Sequence, residues 1–138
     1  MNAAARALTL GSSTIFASIP RAELSVLAEM MRTESFPAGS TVVEAGETAS
    51  CVFVVAAGVL GVFLPGRADP VRQLHVGEVL GEYGMVGAVR TATVRAEGDA
   101  TLLSLDYERF RAYLLRFPEA LWILFESSSR RLLEAERR

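Results

Sequence analysis

Glu82 and Arg90 are the two residues whose types, spacing and surroundings suit small-molecule chemistry. They lie in the segment from Val76 to Ala96, VGEVLGEYGMVGAVRTATVRA. Gly77 and Gly81 permit sharp turns, and Glu82 follows at once. Tyr83, Gly84 and Met85 suit one short helical turn whose outward N–H groups would attract an anion. After seven intervening residues comes Arg90. It opens a β-rich run, Thr91 to Val94, so a strand is expected to hold its guanidinium facing the glycine turn. Arginine offers fixed donors to phosphate oxygens. A carboxylate repels phosphate but accepts from a sugar hydroxyl, so the pair suits a ligand carrying both phosphate and ribose. A plain salt bridge across a β-turn is the other reading, and the flanking glycines favour the ligand.

Such a pair needs a frame. Residues 3 to 10 suit a short Ala-rich helix, and Thr14 to Ile19 a turn or short helix. Pro20 fits a helix first turn. From Arg21 to Met31, Leu24, Leu27, Ala28 and Met31 recur at helical spacing. From Thr33 to Asp106 the period changes, with glycine and proline signals at Pro37-Ala38-Gly39, Ala45-Gly46, Ala57-Gly58, Pro65-Gly66 and Gly98-Asp99. About eight short strands at this spacing indicate a sandwich or barrel. The apolar run Cys51 to Leu64, interrupted by Gly58 and Gly61, is too short to span a bilayer and predicts a buried β-hairpin. Helical spacing returns from Tyr107 to Phe117, through Phe110, Tyr113 and Leu114, with Asp106 as N-cap. Pro118 starts a second helix running through Trp122, Leu124, Phe125, Leu132 and Leu133 to the chain end.

The chain has 138 residues, 51% of them hydrophobic, which suits one domain with a real core. Its expected parts are N-terminal helices over 1–31, strands over 32–106 and C-terminal helices over 107–138. Net charge is −2, and all fourteen basic residues are Arg, scattered until the last helix. That is no nucleic-acid footprint. One Cys excludes an internal disulfide and any multi-cysteine metal site, so a reducing, cytoplasmic setting is expected. The N-terminus lacks the apolar stretch of a secretory signal, and no transmembrane segment is expected. Cys51, opening an apolar strand, reads as a small buried hydrophobe. The lone His75 builds no metal site and is expected to face solvent or cap a turn. No nucleophile elbow, metal-ligand cluster or triphosphate-binding loop is present. A module that reports a ligand fits better than an enzyme.

The segment around Glu82 and Arg90 resembles the phosphate-binding cassette of the cyclic nucleotide-binding domain family. That cassette reads roughly Phe-Gly-Glu, two residues often including Ala or Gly, Leu, a short loop, then Arg, a small residue and Ala. Leu80, Gly81, Glu82, Gly84, Met85, Arg90, Thr91 and Ala92 take those positions. Phe36, Pro37, Gly39, Gly46, Glu47, Phe53, Gly58 and Gly77 extend the resemblance to nearly the whole chain. It implies a mainly β fold with flanking helices (α+β), an antiparallel, jelly-roll-like β-roll followed by two C-terminal helices.

The resemblance also implies roles. Glu82 would take the ribose 2′-hydroxyl and Arg90 the cyclic phosphate, with backbone amides completing the cradle. The implied ligand-binding set is Gly81, Glu82, Tyr83, Gly84, Arg90, Thr91 and Ala92, for cAMP or cGMP, with no other cofactor. In cGMP-binding relatives a Thr in the place of Thr91 bonds a syn guanine, but cAMP binders carry it too, so both nucleotides stay open. The terminal helix would act as a lid, with Trp122 or the Arg130 and Arg131 pair meeting the base or a second subunit. A homodimer through Leu121 to Arg138, or an attached effector domain, is the expected partner. No recognition helix follows, so direct DNA binding by this chain is not expected. Three departures stand out. Leu80 replaces the usual Phe, Cys51 stands where Asp is common, and the loop from Gly84 to Val89 is about one residue short. They leave two alternatives: a degenerate roll without nucleotide that serves as a dimerisation or protein-interaction module, and a sensor of a different small acid.

Overall fold

The computed structural model describes residues 1–87 and 89–137. Two helices come first, α1 (Ala3–Gly11) and α2 (Arg21–Met30). The side chain of Asn2 caps α1, accepting from the Ala5 amide at 2.8 Å. Residues 14–19 form turns, and Leu24, Leu27 and Ala28 of α2 are buried as their spacing requires.

Eight strands follow: β1 (Arg32–Phe36), β2 (Thr41–Val43), β3 (Cys51–Ala57), β4 (Leu60–Phe63), β5 (Arg72–Leu74), β6 (Val79–Leu80), β7 (Thr93–Ala96) and β8 (Ala100–Asp106). A single helical turn, α3 (Gly84–Gly87), lies between β6 and β7. The strands form two four-stranded sheets, ordered β1-β8-β3-β6 and β2-β7-β4-β5, and among the described residues the strands pair antiparallel. This is the expected β-roll.

The expected hairpin over Cys51 to Leu64 is not there. β3 pairs with β6 and β8, whereas β4 pairs with β5 and β7, so the chain crosses between sheets at Gly58, whose φ is +87°. The physical reason lies in burial. Val52 and Val54 face a core shared with Leu10, Phe16, Leu24, Phe110 and Tyr113, while Phe53 and Val55 face a second core between the sheets, with Leu60, Leu74, Leu80 and Leu102. A strand buried on both faces reads as one unbroken apolar run whatever its partner.

Two helices close the fold. In α4 (Tyr107–Arg116) the cap is Asp106, whose Oδ1 accepts from the Arg109 amide at 2.9 Å. Pro118 opens α5 (Pro118–Glu136), where its missing N–H costs nothing. Among the described residues no helix is long and apolar enough to cross a membrane.

Candidate functional site

A cavity of about 360 Å³ opens between the second sheet, the turn after β6 and the end of α5. Its size falls within the roughly 300–1,000 Å³ of small-molecule sites. Gly81, Glu82, Tyr83, Gly84, Arg90, Thr91 and Ala92 all line it, so the residues expected to act together are brought together.

Glu82 is only 7% exposed. Its Oε1 accepts from Arg131 Nη1 at 3.0 Å, and Arg131 also donates to the Tyr83 hydroxyl at 3.3 Å. Glu82 Oε2 is buried without a partner among the described residues. A buried acceptor left open costs stability unless something fills it.

Arg90 is 8% exposed. It does not sit on a strand as expected, because β7 begins only at Thr93 and Arg90 belongs to the connection before it. The turn at Gly46 and Glu47 holds its backbone instead: the Arg90 amide donates to the Glu47 carbonyl at 2.8 Å, and its carbonyl accepts from the Gly46 amide at 2.9 Å. Its guanidinium donates through Nη2 to the Cys51 carbonyl at 3.0 Å and through Nη1 to the Tyr107 hydroxyl at 3.3 Å, and it lies 5.7 Å from the Phe53 ring centroid. All these partners are neutral. Among the described residues no carboxylate pairs with Arg90.

Backbone geometry makes the arrangement possible. Gly81 has φ +92°, and a Cβ there would fall on Arg90 Nη1. The Tyr107 hydroxyl donates to the Gly81 carbonyl at 2.5 Å, so the first residue of α4 joins the turn to the guanidinium. Burial pushes the Tyr107 phenol upward, opposed by the charge of Arg90.

Other expectations need correction. The Gly84 and Met85 amides do not face outward: they donate to the carbonyls of Gly81 and Glu82, each at 3.2 Å. Glu82 and Tyr83 therefore supply the first amides of the turn. Cys51 is half-buried and packs against the second core, as a small hydrophobe would, and its Sγ also lies 3.8 Å from Arg90 Nη2. Burial raises its thiol pKa, with Arg90 opposing. Of the expected short loop, residue 88 lies outside the described residues, whereas Val89 bridges Thr48. His75 is exposed after β5, as expected.

Of the lid candidates, Arg131 reaches the cavity and Trp122 does not line it. Sequence reasoning missed Arg72, a cavity-lining residue on β5. Its alternation with Leu74 was the available signal. Tyr107 was missed too, and nothing in the sequence announces a contact across the 26 residues from Gly81.

Residues 33–117 match the family model described as cyclic nucleotide-binding domain. The chain belongs to the cyclic nucleotide-binding domain family. It is 28% identical over 102 residues to the cAMP-activated global transcriptional regulator CRP of Salmonella typhimurium, covering 70% of this chain and 49% of that protein. It is 25% identical over 101 residues to the cAMP-dependent protein kinase regulatory subunit of Emericella nidulans, covering 72% of this chain and 24% of that protein. The chain thus spans about half or less of these relatives' length. Among solved structures, the catabolite activator protein of Thermus thermophilus superposes with a TM-score of 0.81 at 26% identity, over 90% of this chain and 60% of that one. The cAMP complex of the Toxoplasma gondii protein kinase A regulatory domain shares the fold, with a TM-score of 0.77 at 23% identity over 92% of this chain and 50% of that one.

Proposed function

We propose that this domain is a sensor that holds a cyclic nucleotide, cAMP or cGMP, in the cavity and passes its binding to α4 and α5. One observation carries the reading: Arg90 is a buried cation facing a small-molecule cavity, and among the described residues its partners are all neutral. Burying an unpaired charge is costly, and a cyclic phosphate supplies the missing anion. The open Glu82 Oε2 suits the ribose 2′-hydroxyl, and the Glu82 and Tyr83 amides suit a phosphate oxygen. Related proteins whose names carry cAMP support the ligand class.

Transmission runs through Tyr107. A phosphate that draws Arg90 toward itself weakens the Arg90–Tyr107 bond at the start of α4. Full reversal of a two-state equilibrium needs about 5.5 kcal/mol of differential binding, which a phosphate cradle and a buried base can supply together.

Calorimetry with cAMP and cGMP, using linear 5′-AMP as control, tests this. A charge-assisted hydrogen bond is worth about 1.5–3 kcal/mol, so Arg90→Ala weakens binding roughly ten- to a hundred-fold. No heat with the unmodified protein refutes the sensor reading and favours the rival, a roll without ligand. That rival draws on the pair by which Arg131 already occupies Glu82.

A further inference from the structure

α5 is held firmly near its start and sparsely after it. Ala120 is buried, and Ile123 and Leu124 pack against the first core. Trp122, Phe125, Leu132 and Leu133 are exposed. Residues 132–137 are all exposed, so Arg131 is the last described residue of the helix that is even partly buried. Its Nη1 donates to Glu82 Oε1 at 3.0 Å and to the Tyr83 hydroxyl at 3.3 Å, so both bonds go to the turn after β6. One helical turn on, Ala135 joins Arg131 in lining the cavity. Those two bonds therefore set the end of α5 against the cavity.

The carboxylate that Arg131 holds is the one proposed to take the ribose. The Glu82 side chain is only 5% exposed, against 33% for Arg131. Oε1 is bonded to Arg131, and Oε2, though unpartnered, is buried, so a hydroxyl reaches neither oxygen until the guanidinium gives way. Exchanging a charged partner for a neutral one at a buried carboxylate is unfavourable by itself. A phosphate on Arg90 must supply the difference. We infer that Arg131 is an autoinhibitory latch: it pins the end of α5 to the cavity and competes with the ribose for Glu82, so that nucleotide binding releases the helix. This rests on the cyclic nucleotide reading of the site. A latch opposes binding, whereas a helix that closes on its ligand assists it, so the two differ in sign.

Calorimetry with cAMP and cGMP on the unmodified domain, on Arg131→Met and on Arg111→Gln reads that sign. Methionine keeps an unbranched stem and removes the donors, while Arg111, exposed on α4, controls for the lost charge. Arg131→Met binds the cyclic nucleotide about three- to thirty-fold more tightly, the range for a partly exposed charged contact. Arg111→Gln binds like the unmodified domain. Damage to the fold weakens binding, so it does not mimic the gain. Hydrogen exchange on the unmodified domain gives a second reading: adding nucleotide speeds exchange of the amides of residues 132–136. Should Arg131→Met fail to fold, that exchange decides the matter. Equal or weaker binding by Arg131→Met, the same gain from Arg111→Gln, or slower exchange at the end of α5 each overturn the latch while leaving the sensor reading intact. No heat from any of the three proteins overturns both.

Discussion

Replacing Gly81 by Ala separates the backbone of the site from its chemistry. At φ +92° any side chain is strained, at about 1–2 kcal/mol. The new Cβ would also fall on Arg90 Nη1 and lie 3.1 Å from the Cys51 carbonyl oxygen, so the guanidinium must leave its place. Gly39 offers the control, since its φ is +81° and a Cβ there meets nothing within 4 Å. Both variants therefore lose about 1–2 kcal/mol of stability, or about 3–10 °C in Tm for a domain of this size. Only Gly81→Ala additionally displaces Arg90, the proposed phosphate donor, whose charge-assisted bonds would be worth about 1.5–3 kcal/mol. Its affinity for the cyclic nucleotide falls roughly ten- to a hundred-fold, while Gly39→Ala binds like the unmodified domain. Thermal melts and calorimetry on the two variants give both numbers. Equal affinities for the two variants would show that Arg90 is not held where Gly81 leaves room for it.

Three further predictions concern other parts of the chain. The Tyr113 hydroxyl is buried without a partner among the described residues, so Tyr113→Phe stabilises the fold by about 1 kcal/mol in a denaturant melt. Burial also pushes the Tyr113 phenol upward, so above a pH of about 10 the unfolded chain sheds a proton that the folded chain keeps. Stability therefore falls as pH rises through that region, and Tyr113→Phe flattens the decline; an unchanged alkaline slope would count against burial as its cause. On α5, Trp122 and Phe125 are each 58% exposed with ring centroids 5.6 Å apart, and exposed Leu132 follows at helical spacing. A proposed dimer through this face predicts concentration-dependent mass in light scattering, abolished by Trp122→Glu with Phe125→Glu; a monomer at every concentration refutes it.

Local rules carried most of the fold in the sequence. The periods of α2 and α4, the Asp106 cap and Pro118 at the start of α5 are short-range features, and each appears where its residues call for it. The glycine signals likewise mark breaks between strands. Strand pairing was not legible at Cys51 to Leu64, because alternate residues of β3 serve two cores and erase the pattern that would reveal a partner. The position of Arg90 was misread for a related reason. Thr91 and Val94 have strand propensity, but the bonds from Gly46 and Glu47 hold the backbone at Arg90 ahead of β7. Glu82 and Arg90 were legible as a pair; Tyr107 and Arg72 were not, since their places depend on register and on a long-range contact.

Cys51 gives the site its character. A carboxylate there would pair with Arg90 and compete with a ligand phosphate. The Cys51 carbonyl and the Tyr107 hydroxyl are neutral acceptors instead. Each such bond to a charged donor contributes about 1.5–3 kcal/mol, and a phosphate can replace them without first breaking an ion pair. The incoming anion would then contend with the Cys51 carbonyl and with Tyr107, the residue that also holds the Gly81 carbonyl and begins α4. On the proposed reading, the contact that gives way to the ligand is therefore the one that ties the turn after β6 to the C-terminal helices. On the same proposed reading, a cysteine in place of an acid at position 51 does not argue for a silent roll, because it leaves Arg90 with neutral partners that a phosphate can displace.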